Sequence, residues 1–366
     1  MIKPLYISAT LQDCGKTCVI CGLMHILQDC SYNPAYIKPV GQRYIEYEGN
    51  NIDEDAVLMH KVFGLPDQPK FMSPIAIERG FTGKFAFHPD VAPLEEKILH
   101  SVEVLSKSHP MLVIEGTGHA GVGSCFGLSN ARVAELLGAE VVIVTTGGIG
   151  RPIDEIALSL ALFRQHKVKV IGVILNKVLP EKIDKIKKTV AKGMENLGSK
   201  LLGAIPYKPE LSSYTMNQIA EEFKYTVLCG HRGLQNSIHH TVVAAMEPQN
   251  MLRYIQDNTL IITPGDRIDN ILISIVMARE DEAQNNLKSG GLILSGGFKP
   301  YPTILPLLHK SNIPVLITDE DTFTVSTRMK DLEFKIQSND TQKIETAFSL
   351  VNEHVDVKYI LDALTV

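Results

Sequence analysis

Short apolar runs alternate with stretches of helical length and mixed polarity from Leu5 to Ala204. The runs Leu5–Ser8, Ala35–Pro39, Met111–Glu115, Val141–Thr145, Val168–Leu175 and Lys200–Ala204 read as strands. Between them Thr17–Leu27, Asp53–Val62, Pro93–Ser106, Asn130–Leu137, Ile153–Gln165 and Pro180–Leu197 read as helices. Strands apolar on both faces and alternating with helices predict a mostly parallel sheet covered on both sides. Ligands of such sheets sit beyond the carboxyl ends of the strands, so the residues that follow each apolar run are the ones to search for chemistry.

The alternation resumes after Ser212. Strand Thr259–Thr263, loop Pro264–Arg267, helix Asp269–Met277, strand Gly291–Leu294, loop Ser295–Gly297, helix Pro302–Leu308, strand Pro314–Thr318 and a last helix from about Asp321 describe a second, smaller α/β unit. The expected division is 1–211 and 212–366, with Pro206–Ser213 as an ordered joint, too short and too apolar for a free linker.

The first strand runs into Ala9-Thr10-Leu11-Gln12-Asp13-Cys14-Gly15-Lys16-Thr17, and a helix begins where that run ends. Strand, loop with Gly-Lys-Thr, then helix is the context in which backbone N–H groups cradle phosphates. The lysine adds a mobile charge and the threonine hydroxyl suits Mg²⁺. Thr10, Gln12, Asp13, Cys14, Gly15, Lys16, Thr17 and Cys18 are the expected nucleotide-binding set, although Ala9 stands where a glycine usually opens such a loop.

Four further segments end strands or open helices nearby. Lys38 closes the second strand, either as a second phosphate-directed cation or as a surface lysine. Asp53-Glu54-Asp55 precedes a helix: Asp53 reads as its cap, Asp55 as a candidate Mg²⁺ ligand. Glu115 ends an apolar strand, as a second Mg²⁺ carboxylate does in phosphoryl-transfer sites, and the glycine-rich Gly116–Ser124 follows. His119 in that loop reads as a loop-fixing hydrogen bonder or as a base, and Asn176 as a turn former or as a reader of a purine edge.

With 45% hydrophobic and 21% charged residues in 366, the chain has the make-up of an ordinary globular protein. A net charge of −5 argues against nonspecific nucleic-acid or anionic-membrane binding. No apolar stretch approaches membrane-spanning length, and the amino terminus has no secretory pattern. Six cysteines, several in apolar helical segments, suit a reducing cytoplasm, and Cys18 and Cys21 read as core packing or as an incomplete metal or redox pair. His239-His240 lacks a third ligand at a suggestive spacing. Gly265, Asp266, Arg267 and Asp269 form a small anion site or a salt-bridged helix start.

Taken in order and spacing, Ala9–Thr17, Lys38-Pro39-Val40, Asp55-Ala56, Glu115-Gly116 and Asn176 resemble the dethiobiotin synthetase branch of P-loop proteins. That branch includes cobyrinic-acid-diamide-synthase folds and the N-terminal region of long phosphate acetyltransferases. Residues from about 212 to 350 are similar to the DRTGG domain of the same acetyltransferases, with Gly265-Asp266-Arg267-Ile268-Asp269 in place of the name-giving motif. The resemblance implies a P-loop NTPase-like three-layer α/β fold with a second α/β domain, ATP and Mg²⁺ as ligands, and a homodimer. It implies that Lys16 and Lys38 contact phosphates, that Thr17, Asp55 and Glu115 hold the metal, that Asn176 recognises adenine, and that Pro206 and Glu210 border the nucleotide's sugar and base.

Two departures bear on activity. Gln42-Arg43 replaces the serine of the diamine-binding enzymes, and Gly118–Ser124 replaces an aromatic-containing segment. The length also leaves no room for the acetyltransferase catalytic domain. The expectation is therefore a Mg-ATP-binding regulatory or sensory protein. The alternative is a ligase that phosphorylates a carboxylate or carbamate, with Lys16 and Lys38 stabilising the transferring phosphoryl group.

Overall fold

The computed structural model describes residues 2–268, 290–332, 336–338 and 340–365. They fall into two units, 1–208 with 336–366, and 209–335.

In the first unit six parallel strands form one sheet: β1 (Leu5–Ala9), β2 (Pro34–Ile37), β3 (Met111–His119), β4 (Glu140–Thr146), β5 (Val170–Val178) and β6 (Leu201–Pro206), in the order β6-β5-β4-β1-β3-β2. β1 lies between β3, where Leu5 faces Val113, and β4, where Leu5 faces Glu140. All five of its residues are buried. The expected strands are all present, and the topology explains why their ends matter. The chain departs from β1 toward β2 on one side and later fills β4, β5 and β6 on the other, so a crevice opens at the carboxyl end of β1.

The helices α1 (Lys16–Asp29), α2 (Glu54–Phe63), α3 (Ala92–Ser106), α4 (Asn130–Leu136), α5 (Gly150–Gln165) and α6 (Ile183–Asn196) match the expected ones to within a few residues. A hairpin, Tyr44–Tyr47 against Asn50–Asp53, was not expected; it carries the chain from β2 into α2.

The second unit holds a five-stranded sheet of β7 (Thr226–Cys229), β8 (His240–Val243), β9 (Thr259–Pro264), β10 (Gly291–Ser295) and β11 (Val315–Ile317). The order is β7-β11-β10-β9-β8, parallel except for β7. One face packs Leu292, Leu294 and Val315 with Leu308, and the other packs Leu260, Ile262 and Ile293 with Met216, Val325 and Met329. Met216 opens α7 (Met216–Phe223), and Val325 and Met329 lie on α8 (Thr322–Lys330). The expected helix Asp269–Met277 lies outside the described residues.

One expectation is corrected. The sequence reading assigns everything after Ser212 to the second unit, yet α9 (Thr341–His354) and α10 (Val357–Leu364) belong to the first. The reason is packing against α1. A Cβ on Gly22 would stand 2.4 Å from Val351 Cγ2 and 2.9 Å from the Ala347 carbonyl, so glycine lets the two helices touch backbone to backbone. Ala347 and Val351 are fully buried by this contact. Val355 then bridges to Gly203 in β6, and Thr365 to Ile2.

Candidate functional site

The loop after β1 ends at Gly15, whose φ of 84° is left-handed and opens α1. A Cβ there would lie 2.2 Å from Asn176 Nδ2, so glycine is required by conformation and by space. α1 has no side-chain cap and no acidic residue in its first turn. Its free N–H groups and positive dipole end are therefore uncompensated, which is the condition for anion binding. Asp13, also left-handed at φ 58°, and Gln12 are exposed, whereas Thr10 and Cys14 are buried. Thr10 Oγ1 meets Thr145 Oγ1 at 2.8 Å, which ties the loop to the end of β4.

Lys16 is 9% exposed and, among the described residues, its amino group makes no hydrogen bond or ion pair. Burial pulls its amino pKa below the ordinary lysine value, with Lys38 pulling the same way; Glu115 and Asp55 oppose them without prevailing. A desolvated cation with no direct partner sits at the mouth of an amide-lined loop.

Glu115 is held from two sides: Thr17 Oγ1 donates to Oε1 at 3.1 Å, and Tyr36 Oη to Oε2 at 2.8 Å. Burial raises its carboxyl pKa, Asp55 raises it further, and Lys38, Lys16 and the Tyr36 hydrogen bond oppose the rise. Lys38 lies beyond β2 with its backbone N–H on the Met72 carbonyl. Its amino group pairs with Asp53 at 3.0 Å and, more tightly, with Asp55. Burial alone would lower the Lys38 pKa, but Asp55, Glu115 and Asp53 together drive it well above the usual lysine range. Asp53 caps α2 by accepting the Asp55 N–H at 3.0 Å.

The segment beyond Glu115 is fastened by Asn130. Its Oδ1 accepts from Tyr6 Oη (2.8 Å) and the Thr117 N–H (3.1 Å), while Nδ2 donates to the Thr117 and His119 carbonyls (2.8 and 2.6 Å). His119 accepts the Gly121 N–H on Nδ1, the loop-fixing role rather than a free base.

Asn176, expected to read a base, turns toward the loop: Nδ2 donates to the Cys14 carbonyl and Oδ1 accepts the Lys177 N–H, both at 2.9 Å. Pro206 ends β6, while Glu210, in the turn Pro209–Ser212, belongs to the second unit. In that unit Asp266 and Arg267 are exposed after β9, and Asp269 lies outside the described residues. His239 meets Ser237 and Asn258, a packing arrangement.

The loop, Lys16, Thr17, Lys38, Asp55 and Glu115 thus converge, the loop following β1, Lys38 following β2 and Glu115 lying within β3. The sequence reading missed Tyr36, Asn130 and Tyr6. Tyr36 was within reach, since it lies two residues before Lys38 and strand alternation puts both on one face. The donors around Thr17 and Glu115 are hydroxyl and carboxylate oxygens, the chemistry that suits Mg²⁺. Among the described residues no three His, Cys, Asp or Glu side chains converge on a metal site by themselves, and the Cys18 and Cys21 thiols are pushed up by burial, to about 12 for Cys18.

Residues 3–215 match the AAA domain family, and residues 218–332 the DRTGG domain family. The chain belongs to the AAA domain family. It is similar to phosphate acetyltransferase of Synechocystis sp., 26% identical over 373 residues, covering 100% of this chain and 52% of that protein. Phosphate acetyltransferase of Nitratidesulfovibrio vulgaris is 27% identical over 368 residues, covering 97% and 51%. The chain spans about half the length of the curated relatives it matches. Among solved structures, the MinC:MinD cell division protein complex of Aquifex aeolicus aligns with a TM-score of 0.38 and 16% identity, over 57% of this chain and 83% of that one. The fold of this AAA domain protein is a P-loop-type α/β sheet accompanied by a smaller α/β domain. No helix among the described residues is long and apolar enough to cross a membrane.

Proposed function

We propose that this chain binds Mg-ATP at the loop Thr10–Thr17 and acts as a regulatory, nucleotide-sensing module like the N-terminal region of long phosphate acetyltransferases. The observation that carries the reading is Lys16, a buried ammonium with no ion-pair partner among the described residues, at the uncapped amino end of α1. A triphosphate supplies the anion that both the lysine and the helix end lack. Thr17 and Glu115, already in hydrogen-bond contact, and Asp55 are the residues that would hold Mg²⁺. The metal, when bound, neutralises phosphate charge. Lys38 supports the same reading from the other side: engaged by Asp53 and Asp55, it keeps two buried carboxylates in place beside Glu115.

Sensing is favoured over ligation by the Glu115–His119 segment. Asn130 uses its whole amide to lock that backbone, and His119 takes the Gly121 N–H on Nδ1, so the segment is fastened to itself by the contacts described rather than laid open around an acceptor.

Titration calorimetry with Mg-ATP, followed by phosphate release with and without small carboxylates and amines, tests the proposal. Saturable binding with release no faster than background is the expected result. Acceptor-stimulated release would replace the sensor with a ligase, and absence of binding would remove the nucleotide site altogether.

A further inference from the structure

Two adjacent side chains at the end of β5 grip the phosphate loop from outside. Asn176 Nδ2 donates to the Cys14 carbonyl at 2.9 Å, and Lys177 Nζ donates to the Asp13 carbonyl at 2.8 Å. The grip is built, not incidental. Lys177 adopts a left-handed φ of 57°, and its own N–H donates to Asn176 Oδ1, which turns Nδ2 toward the loop. Asn176 Nδ2 comes so near that no side chain fits on Gly15.

The consequence follows from peptide geometry. A trans peptide is planar, so its C=O and N–H point in opposite directions. The two carbonyls held are consecutive. The N–H groups of the same two peptide planes belong to Cys14 and Gly15, and both are therefore aimed away from β5. Asp13 is itself left-handed, an uncommon conformation for a non-glycine residue though one that Asp tolerates better than most. The Lys177 bond to its carbonyl helps to hold it there.

We propose that Lys177 and Asn176 form a clamp that fixes the orientation of the Cys14 and Gly15 N–H groups toward a bound polyphosphate, which makes Lys177 a positioning residue for nucleotide binding. The inference rests on the Mg-ATP reading above and changes what Asn176 does within it. Both ends of its amide are already used by the chain, so its main role is to hold the loop rather than to recognise a base.

Calorimetry on the full chain with inorganic tripolyphosphate and with Mg-ATP separates the possibilities. Lys177→Met weakens both ligands by the same factor, about tenfold for one lost hydrogen bond to the loop. Lys177→Arg, which still donates to the Asp13 carbonyl, stays within about threefold of the natural protein. The Lys177→Met deficit persists when salt is raised from about 0.1 M to about 1 M, where the Debye length shrinks from ~10 Å to ~3 Å. Loss of ATP affinity with tripolyphosphate unchanged would make Lys177 a base contact and overturn the clamp. A deficit that vanishes in high salt would reduce it to bulk charge, and unaltered binding of both ligands would dismiss it. Failure of the natural protein to bind either ligand would instead refute the Mg-ATP reading on which the clamp rests.

Discussion

Replacing Lys16 by methionine should make the nucleotide-free protein more stable and the nucleotide-bound protein less so. The substitution keeps the buried aliphatic stem and removes only the ammonium, which is 9% exposed with its residue and has no ion-pair partner among the described residues. Burial already outweighs the attraction of Glu115 and Asp55 at this group, and Lys38 repels it. Glu115 loses a neighbouring cation but keeps Lys38 and the hydroxyls of Tyr36 and Thr17. Replacing buried ions by apolar groups of similar volume is commonly neutral or stabilising by about 1–4 kcal/mol. With one partly solvated cation and one opposing loss, about 1 kcal/mol is expected, a rise of roughly 2–4 °C in melting temperature for a domain of this size. Mg-ATP reverses the order. At a hundredfold excess over the dissociation constant it adds about 2.7 kcal/mol to the natural protein, whereas Lys16→Met, weakened about 100-fold in affinity, gains little. Thermal melts of both proteins with and without Mg-ATP measure this directly. A nucleotide-free variant less stable by about 1 kcal/mol or more would show that Lys16 holds the site together as a structural charge rather than as a cation without a partner.

Other substitutions probe the surrounding charges. Lys38→Met strands Asp53 and Asp55 in the interior without their cation and should cost about 3–5 kcal/mol in urea unfolding, opposite in sign to Lys16→Met. Glu115→Gln leaves either Tyr36 or Thr17 facing an amide donor, which should cost about 1–3 kcal/mol and abolish the part of ATP affinity that depends on magnesium, as a Mg²⁺ titration at fixed ATP would show. Because burial lifts Cys18 to about 12 and Cys21 above its ordinary range, alkylation at pH 8 should label the exposed Cys30 and Cys125 and spare Cys18 and Cys21, read by peptide mass spectrometry. Rapid labelling of Cys18 would revive the metal or redox reading.

The sequence carried the skeleton of the site because each part of it is local. A strand, a Gly-Lys-Thr turn and a helix are contiguous in the chain, and Lys38 and Glu115 announce themselves as charges at the ends of apolar runs. What local pattern does not carry is partner choice. Lys38 reads as a phosphate-directed cation, yet two carboxylates 15 and 17 residues away in sequence claim it first. Asn176 reads as a base reader or a turn former, and no local pattern tells that its Nδ2 also donates to the Cys14 carbonyl, 162 residues away. The last two helices show the same limit. The apolar positions Ile344, Ala347, Leu350 and Val351 have helical spacing, but that their partner is α1 in the first unit depends on Gly22. The hairpin before α2 has only a short signal, Glu48-Gly49, whose two left-handed residues lie between short strands.

The central claim is that the loop between β1 and α1 embraces a magnesium triphosphate. A crystal structure of the full chain grown with Mg²⁺ and a non-hydrolysable ATP analogue tests it most directly. The expected result places the β- and γ-phosphates on the backbone N–H groups from Cys14 to Thr17, with Lys16 against them and the metal on Thr17 beside Glu115. Density for the analogue elsewhere, or Lys16 turned to Glu115 with the loop empty at saturating ligand, would contradict it.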